Sequence, residues 1–90
     1  MAQNFKIHIH RNSENLHLKI MGDFDGSSAH ELLNALKIHG CGASRIFVHT
    51  NCLQDIHPFG CNVFHNNYNI LKRQSMPIVF TGENASQLAP

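Results

Sequence analysis

From Phe5 to His10 apolar and polar residues alternate, with Phe5, Ile7 and Ile9 on one side and Lys6, His8 and His10 on the other. This two-residue period is that of a strand with one buried face. After the polar stretch Arg11-Asn12-Ser13-Glu14, Leu16, Leu18 and Ile20 alternate with His17, Lys19 and Met21. Two such runs joined by a short polar segment predict an antiparallel hairpin. If Ile9 pairs with Leu16, then His8 faces His17 and Lys6 faces Lys19. Gly22-Asp23-Phe24-Asp25-Gly26-Ser27-Ser28 reads as a turn, and Ser28 and Glu31 have the spacing of a capping box, so a helix should start near Ser28. Ala29, Leu32, Leu33 and Leu36 make its apolar stripe. Lys37 and His39 sit at the negative end of its dipole, and Gly40 can end it in the left-handed conformation.

Ile46, Phe47 and Val48 in succession mark residues 45–50 as a central strand covered on both faces. Reached through a helix, it should lie parallel to the second strand in a right-handed crossover. Residues 51–57 read as a loop, and Pro58 suits the first turn of a second helix running to about Arg73. Val63, Phe64, Tyr68, Ile70 and Leu71 supply its apolar side. Residues 77–81 form a short last strand, and Asn84 can cap a terminal turn. The predicted fold is α/β: a mixed four-stranded sheet, with an N-terminal hairpin and then parallel strands, and helices packed on it.

Composition narrows the function. Ninety residues make one domain over 1–90, which buries roughly 60–65% of its unfolded surface and leaves little room for an enclosed catalytic cavity. With 42% hydrophobic and 14% charged residues the chain can bury enough apolar surface to fold without a cofactor. Seven Lys and Arg against six Asp and Glu, with no run of like charge, argue against nucleic acid as a partner. Protonating all eight histidines would take the formal charge from +1 to about +9 near their ordinary pKa of ~6.5, so mild acid changes the charge sharply. Cys41, Cys52 and Cys61 are an odd set without a CxxC spacing. That pattern reads as reduced thiols. With no secretory pattern after the N-terminus and no spanning run, a cytoplasmic protein without membrane contact is expected.

Several residues have chemistry to offer. His57, Cys61 and His65 recur every four residues and could ligate zinc with Cys52 or His49, but His57 precedes the helix start and four-residue steps drift around a helix. His8, His10 and His17 on the hairpin's polar face could hold a transition metal or sense protons. Lys6 and Lys19 on the same surface would repel a cation. Asp23 and Asp25, two residues apart before a helix, suit backbone capping better than acid/base catalysis. Cys61 near a helix start has no recognisable base beside it. Gly40-Cys41-Gly42 lacks the residues of a phosphate loop and reads as a helix stop.

The order of elements, with Gly22-Asp23-Phe24-Asp25 leading into Ser28-Ala29-His30-Glu31-Leu32, resembles the STAS domain of bacterial anti-sigma factor antagonists and sulfate-transporter tails, over almost the whole chain. That family's Asp-Ser-Ser/Thr-Gly loop at the start of the second helix aligns with His57-Pro58-Phe59-Gly60, where only the glycine survives. The resemblance puts Phe59 where phosphorylated members carry the acceptor hydroxyl, so their switch chemistry cannot operate there. Many members of that family continue into a fuller final helix after the position of Ser86-Gln87-Leu88. The expectation is a non-catalytic protein-interaction domain acting in signalling or transcription regulation. Its partner would be an anti-sigma factor or other STAS-binding regulator, held through Asp55, Ile56, His57, Pro58, Phe59, Gly60 and Phe64. Phe59 itself would be either a core plug or an exposed anchor. The rival expectation is a small-ligand, metal- or pH-responsive sensor using the histidine-rich surfaces, with His8, His17, His57, Cys61 and His65 as the metal candidates.

Overall fold

The structure, a computed structural model, describes residues 4–40, 42–73 and 77–88. Its elements are β1 (Lys6–Asn12), β2 (Asn15–Phe24), α1 (Gly26–His39), β3 (Arg45–Ile56), α2 (Pro58–Arg73), β4 (Ile78–Thr81) and α3 (Ala85–Leu88). The four strands form one sheet in the order β1-β2-β3-β4. β1 and β2 are antiparallel, whereas β2 and β3, and β3 and β4, are parallel. The α/β expectation holds.

The helices cover one side of the sheet. Leu16, Leu18, Ile20 and Phe24 of β2 and Ile46, Val48 and Leu53 of β3 meet Ala29, Leu32, Leu33 and Leu36 of α1, Phe64 of α2 and Leu88 of α3 in the core. Leu36, Phe64 and Leu88 are fully buried. Thr50, also buried, donates its hydroxyl to the Thr81 carbonyl at 2.7 Å, so its polar atom is paired. No residue on the other side of the sheet is buried among those described, from Lys6, His8 and His10 through His17, Lys19, Phe47 and His49 to Val79 and Thr81.

Five local expectations change. The hairpin register is two residues away: Ile9 pairs with Leu18, His8 with Lys19, Lys6 with Met21 and His10 with His17. His8 and His17 are therefore not directly opposite. α1 is capped by Asp25, whose carboxylate accepts the Ser28 amide at 2.9 Å, and Ser28 is its third residue rather than its cap. Gly40 ends the helix at φ −77, in the right-handed region. A Cβ there would collide with the Leu36 carbonyl and the Ile46 side chain, so close packing, not handedness, calls for glycine. β3 continues through the predicted loop to Ile56. Phe47 lies half-buried on the open side, so β3 is covered on one face only.

Pro58 is the first residue of α2, and α2 ends at Arg73. Asn84 immediately precedes α3, but its side chain donates to the Thr50 carbonyl at 3.1 Å. Cys41 and the side chains of Ile70 and Leu71 lie outside the described residues. Among those described, Cys52 and Cys61 are free thiols, and no helix is long and apolar enough to cross a membrane.

Candidate functional site

With β3 extended, a single residue, His57, joins it to α2. The junction is tied down by backbone hydrogen bonds: the His57 amide donates to the Phe24 carbonyl at 2.9 Å and the Cys61 amide to the His57 carbonyl at 3.2 Å. Gly60 is buried, and a Cβ on it would lie 2.7 Å from the Asp25 carbonyl group. The starts of α1 and α2 thus touch through backbone, which only glycine allows. The Phe59 ring lies over Gly26, where a Cβ would approach it to 2.8 Å, yet Phe59 remains 69% exposed. Of its two anticipated roles, plug or anchor, the plug is excluded.

The other residues of this predicted surface divide. Asp55, His57 and Pro58 are exposed and Ile56 is half-buried. Phe64 is fully buried, with ring centroids 6.2 Å from Phe24 and 5.7 Å from Phe80. It belongs to the core beneath the site and cannot meet a partner. The apolar positions of α2 alone do not distinguish Phe59 from Phe64. Their orientation does, because five residues along a helix turn the side chain well over a full circle.

Electrostatically the junction is quiet. The Asp25 carboxyl is held below its ordinary range chiefly by the Ser28 amide, with desolvation opposing. Burial pushes the Cys61 thiol up, the wrong direction for a nucleophile. His65 shares a 3.0 Å hydrogen bond with the Leu88 carbonyl, and His57 is exposed at the junction. His57, Cys61 and His65 do not converge. Among the described residues no three His, Cys, Asp or Glu side chains could hold a metal ion.

The open sheet face carries a second constellation. His17 Nδ1 and His49 Nε2 are 3.0 Å apart, and His49 Nδ1 lies 2.6 Å from the Thr81 hydroxyl. Three strands thus share one hydrogen-bonded row. The two imidazoles are inclined by only 4° with centroids 5.3 Å apart, about as far as their N···N contact permits. They therefore meet edge to edge in a common plane, joined by one proton. Phe47 lies beside His17 at 5.0 Å and 15°, and His10 follows at 6.2 Å. Burial first, then the charges of His17 and Lys19, lower the His49 pKa. Alternation along the hairpin marks His8, His10 and His17, whereas the Ile46-Phe47-Val48 run points Phe47 to a covered strand and spacing offers His49 only as an alternative zinc ligand. The signal that was available is alternation across β3, which puts residues 45, 47 and 49 together.

No family model and no curated protein matches the chain. Among solved structures, the crystal structure of Mglu is similar over 83% of this chain and 19% of its own, with a TM-score of 0.72 and 15% identity. Mglu in its native form gives a TM-score of 0.71 and 11% identity, over 83% of this chain and 22% of its own. The chain thus spans about a fifth of Mglu's length. An uncharacterized protein of the DUF3478 family with a SpoIIAA-like fold, from Shewanella loihica PV-4, matches over 92% of this chain and 75% of its own at a TM-score of 0.50 and 14% identity. At such identities the likeness speaks to fold alone. The β1-β2-β3-β4 sheet, its one-sided helices and this neighbour together establish a SpoIIAA-like fold, the architecture of the STAS domain.

Proposed function

We propose that this STAS-like domain is a non-catalytic docking module in bacterial signalling that grips another protein through the start of α2, with Phe59 as its apolar anchor. The observation carrying this reading is the 69% exposure of Phe59 on a junction made rigid by Gly60. A large ring presented on a fixed base is the usual form of an interface hot spot. Asp55, His57 and Pro58, just before it in the chain, are exposed as well. Phenylalanine offers no hydroxyl for phosphate, so binding here is constitutive rather than switched. An anti-sigma factor or another cytoplasmic regulator that reads STAS domains is the class of partner the fold suggests.

The test is a photo-crosslinker at position 59 of the whole chain, exposed to an extract of the source cells. One protein should be captured, and excess unmodified chain should compete it away while Phe59→Ala chain does not. Equal competition by both chains refutes the reading. The rival, a sensor, draws support for its pH-responsive form from the shared proton of His17 and His49. Histidine NMR shifts during a proton and zinc titration separate the two.

A further inference from the structure

We propose that the open face of the sheet is a binding surface for single-stranded nucleic acid, with Phe47, His17 and His49 as a stacking platform and Lys6, Lys19 and Arg45 as phosphate contacts. This surface is distinct from the one around Phe59. The sheet has two acidic residues, Asp23 and Asp55, each one residue from the end of its strand, and residues 6–10, 15–21, 45–51 and 78–81 contain no Asp or Glu. Lys6, Lys19 and Arg45 are all exposed on the open side. Glu14, in the hairpin turn, accepts the Ser44 hydroxyl at 3.1 Å, and the first carboxylate met along β2 is Asp23. The chain-wide balance of seven bases to six acids hides this one-sidedness, because the acids sit in turns, in α1 and at strand ends. A polyanion is the complement of such a face.

The rings decide which polyanion. His17 and His49 meet edge to edge and leave each other's faces uncovered, while Phe47, nearly parallel at 5.0 Å from His17 and 6.4 Å from His49, stacks offset against one face of His17. Flat rings among cations on an open sheet suit unpaired bases, which stack without regard to sequence. A duplex would need an element that enters a groove, and among the described residues this face has no helix or arm. A lipid surface would need several large apolar side chains projecting together, whereas Phe47 is half-buried and the exposed Val79 stands on the edge strand β4. From the Lys6–Met21 pair to the Asn15–Arg45 pair is six residues along β2. At ~3.4 Å each this is about 20 Å, room for a few extended nucleotides.

The test is fluorescence anisotropy of a labelled single-stranded oligonucleotide of about ten nucleotides with the whole chain. Saturable binding is expected at about 50 mM salt. With three phosphate contacts it should weaken about twentyfold by about 200 mM. Phe47→Leu, which keeps an apolar side chain and should preserve the fold by circular dichroism, should weaken binding about fivefold or more. Lys19→Gln should reduce the salt dependence by about a third. Phe59→Ala should leave binding unchanged, which separates this face from the docking site. Absence of saturation at low salt overturns the proposal. So does equal or tighter binding of polyglutamate, duplex DNA or phosphatidylserine vesicles, and so does a Phe47→Leu chain that binds as well as the parent.

Discussion

Two phenylalanines on one helix, Phe59 and Phe64, provide a paired experiment with opposite outcomes. Phe59 is 69% exposed and Phe64 fully buried. Burying a whole phenylalanine contributes about 1.5–3 kcal/mol, so the buried third of Phe59 accounts for about 0.5–1 kcal/mol of stability. Phe59→Ala should therefore lower the urea midpoint modestly and leave the fold intact. Its effect on partner affinity should be larger, about 2 kcal/mol or more, which is over tenfold. Phe64→Ala removes a ring that fills the space between Phe24, Tyr68 and Phe80. It should cost about 3–5 kcal/mol of stability and reduce binding only through the unfolded fraction. Urea titrations of both chains, with partner capture corrected for folded fraction, give the comparison. A Phe59→Ala chain that loses more than about 2 kcal/mol of stability yet captures its partner normally would refute the reasoning and make that ring structural.

Asp25→Ala should cost about 1 kcal/mol through the lost cap, while Asp25→Asn should keep most of it, as thermal melts will show. Because the Asp25 pKa is lowered in the fold, its stabilisation is fully present above the ordinary value of 3.8 and is lost below it, as pH falls through the lowered folded value. The Asn chain should show a shallower acid decline. Gly60→Ala forces a methyl to within 2.7 Å of Asp25 backbone, so α2 must shift, at about 1–3 kcal/mol by urea titration. His49, its pKa also lowered, binds fewer protons folded than unfolded. Stability should therefore fall as pH drops below about 6.5, and His49→Gln should flatten that part of the profile.

The strands and helices that form the core were legible because their periodicity is clean. β2 alternates without fault from Leu16 to Ile20, and the α1 stripe is all Ala and Leu. The hairpin register was not. Asn12 pairs with Asn15, leaving a two-residue turn of Ser13 and Glu14, with Ser13 at φ +57. Such turns announce themselves by Asn-Gly or Asp-Gly, and Ser-Glu hides the signal. The slip was even, so every side chain stayed on its proper face. The far half of β3 was illegible for a different reason. Its pairing with β2 shifts between Lys19 and Met21 and again between Gly22 and Phe24, which breaks the alternation that would have marked Asn51 to Ile56 as strand.

The length of β3 decides how Phe59 is presented. A seven-residue loop before α2 would have been a mobile surface, able to move Phe59 into or out of the core. A single-residue junction closed by the Phe24, His57 and Gly60 contacts cannot do that. Phe59 is therefore presented in one orientation, and the ordering cost of binding is met during folding rather than at the encounter. Ahead of that extension, the parallel pairing of residues 45–49 with β2 brings His17, Phe47 and His49 onto one surface. Neither arrangement follows from the local sequence around any one of these residues. His17 and His49 are 32 positions apart, and only the parallel crossover through α1 makes them neighbours. Docking face and open face are thus both products of a long-range pairing, which is why composition and spacing located the residues without revealing the surfaces they build.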